Sequence, residues 1–279
     1  MAVYKYDITK EIVYKTIESS LKMPINKAER DKIIKEFSIY KNVNYFNNRV
    51  VRLEDIELQG NKIEIKLSLI DFFDFLAINI TSVQLEDFVQ YLKRNDIYHN
   101  VCGEIEQLKQ YCKVMMQTRD FETLVHTGIS SNALAISVLL TDDNGDYLLT
   151  QRSGKTGISE KMYSVTATGA VDEIDYYSSE PLKNCVIREL HEELNVDVNS
   201  KNLQICSIVA GENKLQPIVI INGKVEGTFV ELLDGMSEAK DFTYEVDKLF
   251  IANKETLEII LCKEKFTEAV EYHLRSVIG

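Results

Sequence analysis

The residues best equipped for chemistry lie in one short run, Arg188-Glu189-Leu190-His191-Glu192-Glu193-Leu194-Asn195-Val196. On a helix at about 100° per residue, Glu192 falls about 60° to one side of Glu189 and Glu193 about 40° to the other. Ile187, Leu190 and Leu194 gather about 100–160° away, which gives the same helix an apolar flank to dock on a core. Carboxylates at these spacings repel by a few tenths of a kcal/mol per pair. A cation reverses that sign, and hard divalent ions such as Mg²⁺ take carboxylate oxygens. Taken alone, the run also fits a solvated acidic face.

Upstream, Glu180 stands eight residues before Arg188, and Thr168-Gly169-Ala170-Val171-Asp172 precedes it. Together these segments resemble the Nudix box: Gly, five residues, Glu, seven residues, then Arg-Glu-apolar-any-Glu-Glu-any-Gly-apolar. From Glu180 to Val196 the match has one departure, Asn195 in place of Gly. That Gly follows the helix in a left-handed conformation, and Asn is the next most tolerant residue there. Ten residues separate Gly169 from Glu180 where the family has five, so residues 173–177 are expected to be a loop insertion.

The resemblance implies Mg²⁺ or Mn²⁺ held by Glu189, Glu192 and Glu193, with a backbone carbonyl of Thr168 or Gly169 as a further ligand. It implies that Arg188 orients the first glutamates, with Glu180 as its partner, a role that needs the planar fork of arginine. In this family the general base is either a box glutamate or a distal one; Glu245 is the preferred distal candidate here, with Glu238 and Glu231 as alternatives. Cys185, one turn before Glu189, reads as a buried small hydrophobe rather than a nucleophile. His99, His126, His191 and His273 have no metal-ligand spacing, which argues against zinc or non-haem iron.

The elements that must position this run occupy the second half of the chain. Ala133–Thr141 and Asp146–Arg152 read as strands about the turn at residues 142–145, and Leu203–Val209 as a further strand. Pro217–Ile221 and Lys224–Leu233 read as a hairpin about Asn222-Gly223. Glu245–Ile251 reads as a short strand or turn, and Glu255–Cys262 and Thr267–Val277 as helices. This order suits the α/β/α sandwich with a mixed sheet that the resemblance implies over residues 126–279. Residues 1–125 read as a separate α+β module. Helices are expected over Thr9–Leu21, Ala28–Phe37, Val83–Arg94 and Gly103–Gln117, the last carrying an Ile105, Leu108, Cys112, Met115, Met116 stripe. Between them Val50–Leu58 and Lys62–Ile70 alternate about Gln59-Gly60-Asn61 as a hairpin.

The chain has 279 residues, 45% of them hydrophobic, enough for one large or two modest cores. Its net charge of −12 disfavours a nucleic-acid partner. No apolar run approaches the ~20 residues of a membrane span, and no secretory segment opens the sequence. Five cysteines, none in a C-x-x-C spacing, suit a reducing compartment, so a cytoplasmic location is expected.

The activity so implied is metal-dependent hydrolysis of the pyrophosphate linkage in a nucleoside diphosphate derivative, such as ADP-ribose, a dinucleotide or a nucleotide sugar. Tyr176 and Tyr177 are candidates to stack on its base. All the motif carboxylates lie in 126–279, so residues 1–125 are expected to serve substrate selection or homodimerisation. The competing reading is a module that senses a nucleotide metabolite without catalysis and reports through the N-terminal half.

Overall fold

The computed structural model describes residues 3–115, 117, 121–126, 128, 130–153, 161–211 and 216–278. Cys112, Met115 and Met116 of the expected stripe lie outside the described side chains, whereas Ile105 and Leu108 are buried as expected. No helix among the described residues is long and apolar enough to cross a membrane.

The first half opens with strands β1 (Val3–Asp7) and β2 (Glu11–Thr16), helix α1 (Lys27–Lys41), and strands β3 (Arg49–Gln59) and β4 (Lys62–Asp71). Four helices follow: α2 (Phe72–Phe75), α3 (Thr81–Arg94), α4 (Cys102–Met115) and α5 (Phe121–His126). A π-helical turn, Leu76–Ile80, joins α2 to α3. The hairpin β3–β4 turns on Gly60 at φ 60°, where glycine pays no Cβ penalty. The expected helix over Thr9–Leu21 is instead strand β2, which pairs in parallel with β4 from Glu11↔Lys62 to Thr16↔Leu67. Ile12, Val13 and Thr16 are β-branched, and an available sheet edge outweighs an apparent helical period over so short a stretch.

The second half contains β5 (Ala135–Thr141), β6 (Tyr147–Arg152), β7 (Tyr163–Ser164), β8 (Ala167–Ala170), α6 (Glu173–Tyr176), α7 (Pro181–Leu194), β9 (Leu203–Gly211) and β10 (Ile218–Lys224). It ends with α8 (Phe229–Met236), α9 (Phe242–Glu245), β11 (Val246–Ala252), α10 (Lys254–Lys263) and α11 (Glu268–Ile278). The sheet is mixed: its order is β1-β9-β10-β5-β6-β11, with β7 on β6, β8 on β5, and a parallel β10–β5 pair.

Alternation along β5 produces the layers. Ile136, Val138 and Leu140 pack in one cluster with Leu182, Cys185, Leu190 and Leu194 of α7. Leu139, between them, packs with Leu257 of α10 and Leu274 of α11. Helices therefore cover both faces, as the sandwich requires.

Two readings near β10 are corrected. Asn222-Gly223 is no turn but the end of one continuous strand, and residues 229–236 form a helix rather than a return strand. Asn222 is held by side-chain partners, accepting from His273 Nε2 at 2.9 Å. Gly223 sits in a crowded place: a Cβ there would come within 2.6 Å of Leu140 Cδ2, so that side chain would have to shift. Thr228 and Glu231 then form a capping box that starts α8.

The two halves share a sheet and a core across residue 125. β1 pairs antiparallel with β9, Val3↔Gly211 to Asp7↔Ser207. The amide of Val51 donates to Val171 O at 2.7 Å, and that of Leu134 donates to Val51 O at 2.8 Å. Val51, Leu53, Ile63, Ile65 and Leu67 belong to the same hydrophobic cluster as α7. At this seam the fully buried Arg52 guanidinium pairs with the Glu54 carboxylate and donates to Ser20 Oγ and Ser130 O, each at 3.2 Å.

Candidate active site

Helix α7 begins at Pro181, whose fixed φ and missing N–H suit a first helical position. It ends where Asn195 turns left-handed at φ 52° and ψ 38°, its amide donating back to His191 O and Leu190 O. The substitution for glycine is thus accommodated as expected, and Asn195 Nδ2 adds a bond to Gly235 O at 3.1 Å. Cys185 is fully buried, burial pushes its thiol pKa up, and Sγ donates to Ala170 O; it packs as a small hydrophobe. His191 lies exposed on the far side of the helix.

Glu189, Glu192 and Glu193 take three different settings. Glu189 lies over Gly169 of β8: a Cβ on Gly169 would meet the Glu189 carboxyl group, the flexible end of that side chain. Burial lifts the Glu189 pKa to about 7 against the pull of Arg188, with Asp172 and Glu192 adding repulsion. Glu193 is only 7% exposed, and burial, then Glu189 and Glu245, drive its pKa well above the usual carboxylate range. Glu192, half-buried, is held by Arg188 Nη1 at 3.1 Å.

Arg188 anchors the helix to its surroundings, though with a different partner from the one expected. Nη2 and Nε fork onto Asp175 at 2.8 and 3.3 Å, Nη1 reaches Glu189 at 2.8 Å, and Nη2 also donates to Ala170 O at 3.2 Å. Burial opposes its charge, but the bond to Asp175 and the nearby carboxylates keep Arg188 protonated. Glu180 instead pairs with Lys183 at 2.9 Å, at the mouth of the helix. The insertion is not a loop at Glu173–Tyr176: that segment is helix α6, capped by Asp172, and its Asp175 is fully buried.

Asp175 was legible in the spacing. Five residues separate Gly169 from Asp175, the interval of the box, with Asp in the place of Glu. Twelve residues then separate Asp175 from Arg188 rather than seven, so the extra length follows the acid instead of preceding it.

Arg152, at the end of β6, is a second residue of the candidate site that the sequence reading passed over. Nη1 donates to Thr168 Oγ1 at 2.9 Å and Nη2 pairs with Glu245 Oε2 at 3.3 Å. Glu245, at the end of α9, has its pKa raised by burial against the pull of Arg152, and its charge acts on Glu193. The other distal candidates are elsewhere: Glu231 caps its own helix and Glu238 is exposed.

Among the described residues, Asp172, Asp175, Glu189, Glu192, Glu193 and Glu245 are thus gathered around two guanidinium groups, Arg188 and Arg152, with Lys240 reaching Glu192 from the rim at 4.0 Å. Among the described residues no three such side chains converge in a ligating arrangement, because Glu189 and Glu192 are turned onto Arg188. The donor set is nonetheless all oxygen, buried and in anionic excess, which suits a hard divalent cation.

Residues 131–244 match the family model of the NUDIX domain, and this stretch of the chain is a Nudix domain. No curated protein matches the chain significantly. Among solved structures, the chain is similar to a MutT protein from Methanosarcina mazei, at 18% identity over 52% of this chain and 91% of that one, TM-score 0.36. It is also similar to an Ap4A hydrolase from C. elegans, at 16% identity over 52% and 94%, TM-score 0.34. A protein from Deinococcus radiodurans matches at 15% identity over 52% and 82%, TM-score 0.39.

Proposed function

We propose that the protein is a Mg²⁺- or Mn²⁺-dependent pyrophosphohydrolase acting on a small nucleoside diphosphate derivative such as ADP-ribose, a dinucleotide or a nucleotide sugar. The observation that carries this reading is the anionic excess around Glu189 and Glu193 on the box helix of the matched domain. Buried carboxylates that repel each other are costly to a fold, and a cationic ligand offsets that cost. Glu189, Glu192 and Glu193, with the carbonyl of Gly169, are the groups that would hold the metal. When bound, a divalent ion offsets the diphosphate charge and lowers the pKa of a water.

The remaining roles belong to the chain. Arg188, braced by Asp175, fixes the orientation of Glu189 and Glu192. Arg152 holds Glu245 in place through one nitrogen and Thr168 through the other. Glu245, facing Glu193 at the edge of the cluster, is the base that takes a proton from the attacking water. The acidic balance and the absence of a basic stripe fit a small nucleotide rather than a nucleic acid, and a cytoplasmic enzyme is the corresponding expectation.

The test is a phosphate-release screen over ADP-ribose, diadenosine polyphosphates and nucleotide sugars with Mg²⁺ and Mn²⁺, coupled to a phosphatase. Turnover that Glu193→Gln abolishes supports the reading. No turnover on any of them replaces it with a module that binds a nucleotide metabolite without cleaving it.

A further inference from the structure

Beside the box lies a cavity of about 220 Å³ whose walls come from both halves of the chain. Ile136 and Ile218 of the sheet form one side and Ala269 and Val270 of α11 another. The remaining side is Phe72 and Phe75 of α2, two rings 5.7 Å apart that belong to the N-terminal half. Arg152, Thr168 and Gly169 also line it; Arg152 pairs with Glu245, and Gly169 lies beneath the Glu189 carboxyl group.

Helix α2 is held over this cavity through backbone links. The amide of Phe72 donates to Asn48 O at 2.8 Å. From the adjoining stretch of β3, Val50 bridges to Asp172 and Arg49 pairs with Glu173 at 3.5 Å. The segment that carries the aromatic wall is therefore tied to the segment that carries Gly169 and Asp175.

We propose that Phe72 and Phe75 form the specificity wall of a nucleobase subsite, so that the N-terminal half selects the substrate the Nudix domain cleaves. The cavity is smaller than the roughly 300–1,000 Å³ of sites that enclose a whole ligand, so it admits one group. Its lining is mainly aliphatic and aromatic, with Ser137, Ser164 and Gln216 among it; that suits a flat uncharged ring with polar edges, and aromatic side chains bind bases through their π faces. The ring enters while the charged diphosphate stays toward Arg152 and the box carboxylates; this placement rests on the hydrolase reading. The sequence-based candidates for base stacking, Tyr176 and Tyr177, pack edge-on against each other instead, with Tyr177 largely exposed.

The experiment separates base from sugar phosphate, without metal and without turnover. Calorimetric titrations in chelator compare AMP, GMP, UMP and CMP with ribose 5-phosphate on the full chain. At least one nucleotide should bind about tenfold or more tighter than ribose 5-phosphate, and Phe72→Ala should remove most of that difference. Phe72→Leu keeps an apolar side chain without the ring face; it should also lose the difference and serves where the alanine variant melts early. With the substrate the screen identifies, the loss in either variant should fall mainly in KM. Equal affinity for all five probes overturns the inference, as does a preference for nucleotides that survives both substitutions. Neither result touches the hydrolase reading, which fails only if the wild-type protein cleaves no diphosphate.

Discussion

Two buried charge clusters in this chain are built on opposite plans. At the seam between the halves, Arg52 faces Glu54 one to one, both nearly inaccessible, with serine hydroxyls and a carbonyl as further partners. There burial alone would raise the Glu54 pKa, but Ser20, Ser68 and Arg52 together hold it below its usual value. Around α7, carboxylates outnumber guanidinium groups, and burial with mutual repulsion pushes Glu189 and Glu193 upward instead. A balanced cluster is a fixture of the fold. An unbalanced one leaves a charge that the proposed divalent cation would offset.

The sharpest way to break this contrast is to unbalance the seam. Arg52→Ala leaves Glu54 buried without its cation and should cost about 3–5 kcal/mol in denaturant unfolding. A loss under about 1 kcal/mol would show the pair to be ornamental. At the other cluster a charge removed should cost chemistry and not stability. Glu193→Gln should lower turnover at least about a hundredfold, about 2.7 kcal/mol of barrier, while the metal-free protein unfolds no earlier than wild type. Turnover within threefold of wild type would remove this helix from the metal site.

Asp175→Asn tests the brace beneath it. Weakening the forked bond to Arg188 should cost about tenfold in turnover, whereas Glu180→Gln should stay within about twofold. The reverse ranking would restore Glu180 as the partner. Divalent metal should stabilise the unbalanced cluster alone: Mg²⁺ or Mn²⁺ at about ten times Kd adds about 1.4 kcal/mol to unfolding, and Glu193→Gln should lose most of it. Identical thermal shifts in both proteins would place the ion elsewhere.

The smallest effect belongs to His273, buried without a charge partner. Nδ1 accepts from Ser137 Oγ at 2.8 Å and Nε2 donates to Asn222 Oδ1 at 2.9 Å, a pairing that uses the neutral ring. Burial lowers its pKa from 6.5 to about 3. The unfolded chain therefore binds a proton near pH 6.5 that the folded chain refuses until about pH 3, and stability falls as pH drops through that window. Between pH 7 and pH 6 the wild-type protein should lose under about 1 kcal/mol relative to His273→Gln. A flat difference down to pH 5 would show the histidine charged within the fold.

Much of the site was legible because its spacing is local. The three glutamates, Arg188 and the tolerance of position 195 for Asn follow from one helical period and one terminating residue. Glu245 came from the motif resemblance, and its proximity to Glu193 is a product of tertiary packing. Asp175 was hidden by aligning the insertion to the wrong side of the acid. Arg152 has no motif to announce it, since its partners Thr168 and Glu245 lie 16 and 93 residues away. The fold was least legible where a long-range edge decided the structure: Ile12 and Val13 suit a helical stripe until β4 offers them a strand. Asn222-Gly223 suits a turn until His273 and Leu140 occupy its surroundings.

The pairing of β1 with β9 also carries a consequence for how the chain reaches its folded form. Val3–Asp7 must wait for Ser207–Gly211 before its ladder can close. At ribosomal speeds of about 5–20 residues per second, that interval is on the order of 10–40 s. During it the first strand has emerged with no partner, and closing so long a loop is slow and entropically expensive. Assembly of this sheet is thus a late event, and Val3–Asp7 spends that time as an unpaired strand open to chaperones or to neighbouring chains.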